Sequence, residues 1–155
     1  MKSQLPEMYS LIVKGFPLRI AEGEVMRVRT PEDAYRLTED ITVLPNEVFV
    51  VIALNSKNYV IDKILVTQGL LDTALVHPRE VYRSALIQGA AAVVLCHNHP
   101  SNDTTPSAED LRITKQLVEA GKIIDIKVLD HVVVGKRTDS SKGFTSMREA
   151  GLCEF

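Results

Sequence analysis

The apolar run Ala91-Ala92-Val93-Val94-Leu95-Cys96 passes without a break into His97-Asn98-His99-Pro100, and this junction constrains the chain more than any other stretch. The run reads as a buried strand. Residues two apart on a strand share a face, so His97 and His99 leave its end with both imidazoles on the same side. The next element begins at Pro106-Ser107-Ala108-Glu109-Asp110, where Ser107 has the position of a helix N-cap and Asp110 that of its capping-box partner. A carboxylate in that first turn can point back toward the end of the strand. Two neutral imidazole nitrogens and one carboxylate oxygen suit zinc, and three protein ligands leave a fourth tetrahedral position for water. Taken singly, Ser107 and Asp110 are ordinary caps and a lone histidine is ordinarily structural. At this spacing the set points to a metal site open to catalysis.

The rest of the chain is organised around that junction. Residues 1–24 form a short lead-in, with a strand expected around Ser10 to Val13, and residues 25–155 form one domain. Thr30-Pro31-Glu32-Asp33 supplies an N-cap, a proline at the first helical position and an acidic third residue, opening a helix with Ala34 and Leu37 on one side. Strands are expected over 48–54 and about 59–66, joined through the turn-forming Asn55-Ser56-Lys57-Asn58 as a hairpin, with a third over Leu71 to Val76. His77-Pro78 opens a second helix with Val81, Tyr82, Ala85 and Leu86 at helical spacing, and Gly89 stops it. The helix carrying Asp110 runs to about Ala120, with Leu111, Leu117 and Val118 inward and Gly121 as its end. A last strand covers Ile126 to Val134, and Asp139-Ser140-Ser141-Lys142-Gly143 is a loop. Intermixed strands and helices, with both hairpin and crossover connections, imply an α/β fold: a mixed sheet flanked by helices.

Composition sets limits on function. A chain of 155 residues with 45% hydrophobic content buries a core without staples. The two cysteines, Cys96 and Cys153, make no framework, and strand alternation aims Cys96 away from the face that carries His97, as a small buried hydrophobe. Leu11-Ile12-Val13 is cut off by Lys14, so no export signal is expected, and nothing approaches a membrane span; with low cysteine use this points to the cytoplasm. A net charge of −2 and the lack of a basic run interleaved with aromatics argue against nucleic acid as the default partner.

His97-x-His99-Pro100 followed by Ser107 and Asp110 resembles the JAMM (MPN-positive) metalloprotease motif without a gap. Val76-His77-Pro78-Arg79-Glu80-Val81, the stretch Ala91 to His99, Val118 to Lys122, Val128-Leu129-Asp130-His131 with Val132 to Gly135, and the ending Ser146-Met147-Arg148-Glu149-Ala150-Gly151-Leu152 resemble its bacterial RadC-like branch. The resemblance extends from about residue 25 to the C-terminus. It implies a JAB/MPN-like three-layer α/β/α sandwich with a mixed sheet, similar to the cytidine deaminases in architecture. It also implies a zinc-dependent hydrolase cleaving a peptide or isopeptide bond, with one zinc held by His97, His99 and Asp110 and a peptide or protein as substrate.

In that family a glutamate from an earlier strand is the general base. Glu47, which follows Leu44-Pro45-Asn46 and opens the run Val48 to Leu54, best matches the position. A solvent-facing charge at a strand start is the alternative reading of Glu47, and Glu80 is its competitor, although helix-dipole stabilisation already accounts for Glu80. By the same resemblance Ser107 stabilises the oxyanion, a role that competes with capping for one side chain. His77 and His131 read as turn, supporting or structural residues, while Asn98 and Asp103 lie where the loop to Pro106 must fold over the metal. The RadC-like branch also carries a second possibility, a DNA repair or recombination accessory without protease activity. A zinc deaminase is set aside, because that class needs H-x-E with P-C-x-x-C and this chain has H-x-H without C-x-x-C.

Overall fold

The computed structural model describes residues 26–69 and 76–155. The strand expected around Ser10 to Val13 and most of the one expected over Leu71 to Val76 lie outside them. Among the described residues the order is α1 (Pro31–Thr38), a 3-10 turn (Glu39–Val43), β1 (Glu47–Leu54), β2 (Val60–Gly69), α2 (Pro78–Ile87), β3 (Ala92–Asn98), α3 (Ala108–Ile124), β4 (Lys127–Val134) and β5 (Phe144–Ser146). No helix among them is long and apolar enough to cross a membrane.

The strands form one mixed sheet in the order β2-β1-β3-β4-β5. β1 is antiparallel to both β2 and β3, β4 is parallel to β3, and β5 closes antiparallel on β4. α3 is therefore the crossover that a parallel β3–β4 pair requires. The central strands are buried on both sides, which is why their sequences are continuous apolar runs without alternation. On one face Val50, Ile52, Val94, Cys96 and Val132 pack under Ala34, Tyr35 and Leu37 of α1 and Ile41 of the 3-10 turn. On the other, Val51, Val93, Leu95 and Val128 pack under Val81, Tyr82 and Ala85 of α2 and Ile113, Leu117 and Val118 of α3. The result is the three-layer α/β/α arrangement expected of this chain. Cys96 falls on the α1 face, opposite the face that covers His97's neighbours, and burial pushes its thiol up to about 12.

Local chemistry explains the boundaries. Thr30 and Asp33 form a reciprocal capping box on either side of Pro31. In the β1–β2 hairpin the Asn55 side chain accepts from the Lys57 and Tyr59 amides at 2.9 and 3.0 Å, and Asn58 takes a left-handed φ of 63°. α2 stops as anticipated at Gly89, whose φ of +66° suits glycine. Leu86, expected on the buried stripe, is 56% exposed, because one residue beyond Ala85 rotates it past the packed face. Leu111 is likewise only half-buried, and Ile113 occupies the inward position in its stead.

Gly121 does not end α3. The helix continues to Ile124 and is closed by Asp125 in the left-handed conformation, with the Ile126 amide donating to the Gly121 carbonyl at 3.0 Å. Glycine is needed at 121 for space: a Cβ there would lie 2.5 Å from the Ile126 carbonyl oxygen and 2.6 Å from the Tyr82 hydroxyl. Tyr82 in turn donates to the Leu117 carbonyl, tying α2 to α3. β5, three residues long, is too short to carry a strand signal in the sequence. The loop before it is laced by mutual Thr138–Ser141 bonds and by the Gly135 amide donating to the Gly143 carbonyl at 2.8 Å.

An alanine in an unconstrained helix interior is worth about 0.5–1 kcal/mol over glycine. Gly121→Ala is expected to do the reverse and destabilise the fold by about 1–3 kcal/mol through overpacking. The urea unfolding midpoint decides the sign, and a midpoint raised by the substitution would refute the close approach.

Candidate metal centre

The end of β3 delivers the two histidines. His97 lies in the strand, and the backbone amide of His99 donates to the Val134 carbonyl at 3.1 Å, which extends the attachment to β4 one residue past the strand. His97 is 1% exposed, and the Phe49 ring, opposite it across the β1–β3 ladder, lies nearly parallel at 6.0 Å between centroids. α3 delivers Asp110. Its Oδ2 accepts from the Ser107 amide at 2.8 Å while the Ser107 hydroxyl accepts from the Asp110 amide at 3.1 Å, so the capping box is complete. The same carboxylate faces both imidazoles, with Oδ1 3.3 Å from His97 Nε2 and Oδ2 3.2 Å from His99 Nε2. Capping and ligand geometry are therefore not alternatives for Asp110. They coexist in one rotamer.

The two Nε2 atoms are 3.0 Å apart, and Glu47 from the start of β1 brings a carboxylate oxygen into the same cluster, all four candidate ligand atoms lying within 4.8 Å of one another. Hydrogen bonds determine which ring nitrogens face this centre. Thr114 Oγ1 donates its single proton to the Asp110 main-chain carbonyl at 2.6 Å, so towards His131 Nδ1 it can only accept. His131 Nδ1 is then protonated. Burial holds this ring well below the usual imidazole range, hence neutral, and its Nε2 is a bare acceptor. His97 Nδ1, 2.8 Å away, must carry a proton and donate to it. His99 Nδ1 donates to the Asp103 carbonyl at 2.6 Å by the same logic. Both histidines thus turn an Nε2 without an obligatory proton toward Asp110.

Burial works against ionisation of Asp110, but the adjoining His97 and His99 rings and the Ser107 amide outweigh it and hold the carboxyl well below the carboxylate range. Burial also opposes protonation of His99, and there the Asp110 carboxylate and the Asp103 carbonyl win, raising its pKa. Two imidazole lone pairs and a carboxylate converging at these distances repel one another unless a cation sits among them. The cluster can hold a metal ion, and the donor set fits one.

The structure brings together His97, His99, Asp110 and Glu47. Ser107 stands at the rim as an exposed cap, its hydroxyl hydrogen without an acceptor among the described residues. Glu80 is on α2 beside Arg79 and outside the cluster, and His77 is an N-cap position without a side-chain cap bond. His131 and Thr114 support the centre through His97. The sequence signal for them was weak, because only the parallel register that sets Leu95 opposite His131 places that ring beside His97. The loop between His99 and Ser107 is fastened by the Lys136 amide donating to Asn102 Oδ1 at 2.9 Å and by a Thr104–Thr145 hydroxyl bond at 2.8 Å.

Thr114→Val keeps the shape but deletes the acceptor that dictates the His131 tautomer. Metal affinity, measured by competition with a chromogenic chelator, is expected to fall about tenfold or more; unchanged affinity would disprove the supporting role of the His131–Thr114 pair.

The family model described as a RadC-like JAB domain matches residues 28–152, and so includes every residue of the cluster. A UPF0758 protein of Caldanaerobacter subterraneus subsp. tengcongensis is 45% identical over 135 residues, covering 86% of this chain and 56% of that protein. One from Halalkalibacterium halodurans is 46% identical over 129 residues, 83% of this chain and 53% of that protein. One from Symbiobacterium thermophilum is 56% identical over 106 residues, 68% and 43% respectively. The chain spans about half the length of these curated relatives. With residues 28–152 matched by the family model, the chain belongs to the RadC-like JAB domain family.

Proposed function

We propose that the chain is a zinc-dependent hydrolase that cleaves a peptide or isopeptide bond. The observation that carries this reading is the open three-ligand set with a carboxylate beside it. Zinc bonds of about 2.0–2.1 Å to nitrogen and oxygen give tetrahedral ligand separations of about 3.3 Å. The separations among His97 Nε2, His99 Nε2 and the Asp110 oxygens are 3.0, 3.2 and 3.3 Å. Held by His97, His99 and Asp110, a zinc ion would supply Lewis acidity and lower the pKa of a water toward neutral. Glu47 accepts the proton of the attacking water and returns it to the leaving amine. The free hydroxyl hydrogen of Ser107 donates to the oxygen that gains charge as the carbonyl is attacked, a job compatible with capping because the cap uses only the oxygen lone pair. The two unpaired cysteines are consistent with a reducing compartment, the cytoplasm.

Freshly purified chain is expected to carry about one zinc per chain by elemental analysis, lost in His97→Ala and Asp110→Ala. Glu47→Gln is expected to keep the metal and to lose at least about 100-fold in the rate of hydrolysis of a fluorogenic peptide or isopeptide. Full activity in Glu47→Gln would remove the proposed base, and a wild type that takes up no zinc would remove the reading.

The raised pKa of His99 gives the metal site a pH dependence with a definite sign. A proton stays on this imidazole to higher pH than on an ordinary one, whose value is 6.5, and it competes with the metal for Nε2. Affinity is therefore expected to fall as pH is lowered from about 8 to about 6 in chelator titrations. A flat profile would show that no ligand proton is displaced.

A further inference from the structure

We infer that Asn98, the residue between the two histidines, is a positioning residue for Glu47. This rests on the reading of Glu47 as the general base. The main-chain ladder between β1 and β3 pairs Phe49 with His97 as its last register position, and beyond it the two strands are joined through a side chain instead. Asn98 Oδ1 accepts from the Val48 amide at 2.6 Å, and Asn98 Nδ2 donates to the Asn46 carbonyl at 3.0 Å. These two groups flank Glu47 on either side. One carboxamide therefore holds the backbone immediately before and after the residue whose carboxylate joins the metal cluster.

The clamp is itself rigidly mounted. Asn98 is fully buried, and its own backbone pairs with Val134 of β4. Only one amide orientation satisfies both contacts, since Oδ1 must face an N–H and Nδ2 a carbonyl. A carboxamide is the uncharged side chain that offers a donor and an acceptor on one short planar group. Aspartate would keep the Val48 bond and leave the Asn46 carbonyl unpaired. Because His97 and His99 belong to the same strand end as Asn98, one residue within the motif links the Glu47 backbone to the strand of both imidazoles, while β2 holds Glu47 from the other side through its pairing with Gly69. A misplacement of about 1 Å in a catalytic group can cost about 100-fold in rate.

The test uses the full chain with zinc bound and whichever fluorogenic peptide or isopeptide the wild type cleaves. Asn98→Ala is expected to lower kcat by about 10- to 100-fold with KM within about twofold, and Asn98→Asp, which keeps one of the two bonds, is expected to fall between. Zinc affinity is expected to stay within about threefold of wild type, because the Asn98 side chain bonds to the Val48 amide and the Asn46 carbonyl and so is not among the hydrogen-bond partners of the ligands, whose loss weakens binding. Combined with Glu47→Gln, Asn98→Ala is expected to add no further loss, since it acts only through Glu47. Losses that multiply, or a kcat retained in Asn98→Ala, would overturn the inference. Amide hydrogen exchange at Val48 supplies a readout independent of hydrolysis: it is expected to accelerate in Asn98→Ala, and unchanged protection would refute the clamp. If Glu47→Gln alone leaves activity intact, the proposed function fails, whereas the exchange result still reports on the clamp by itself.

Discussion

The Asp110 carboxylate meets two demands at once, and the end of the sheet is arranged around it. It caps α3 by accepting from the Ser107 amide, and it lies within 3.3 Å of both His97 and His99. A helix N-terminus carries a partial positive charge that favours a carboxylate. Burying that carboxylate is costly unless it is paired, and here the Ser107 amide bonds it while it shares with the two imidazoles a centre that can hold a cation. The position of α3 relative to β3 is thereby tied to the geometry of the centre. Because α3 is also the crossover between the parallel strands β3 and β4, the same contact joins fold and site.

Support for the centre is layered outward. From Asp110 a chain of hydrogen bonds runs through its own carbonyl, Thr114, His131 and back to His97, and with the Thr114 proton given to that carbonyl each ring donates toward it. The segment after β5 reinforces the far side. Met147 is completely buried, its amide donates to the His131 carbonyl at 2.9 Å, and the Asp130 carboxylate accepts from Ser146 and from the Arg148 and His131 amides. Burial raises the Asp130 carboxyl while these bonds lower it, and burial wins. The ending Ser146-Met147-Arg148 thus braces the strand that carries His131, although none of its residues belongs to the metal cluster.

Much of the site was legible because its ligands are close in sequence and lie on elements with strong local signals. An apolar run followed by H-x-H places two rings on one side by strand geometry alone, and the S-x-x-D cap fixes where the next helix starts. Glu47 was reached through family resemblance, since nothing local distinguishes a carboxylate at the mouth of a strand from a solvated one. Where sequence and structure differ, tertiary packing is the cause. Gly121 looked like a helix stop, but its role is to admit the Tyr82 hydroxyl and the Ile126 carbonyl, neighbours that only packing supplies. Leu86 and Leu111 fit a helical stripe whose exact edge depends on how each helix is rotated against the sheet.

The sequence by itself determined the alternation that sets His97 and His99 apart from Cys96, the caps of α1 and α3, the hairpin between β1 and β2, and the buried character of the central strands, because each follows from backbone periodicity or from bonds within a few residues. The tertiary structure alone decided that β1 and β4 flank β3. That order brings Glu47 within 4.8 Å of the other candidate ligand atoms and His131 within 2.8 Å of His97. Strand order and register are long-range choices made by the packing of two apolar faces, and no local pattern encodes them.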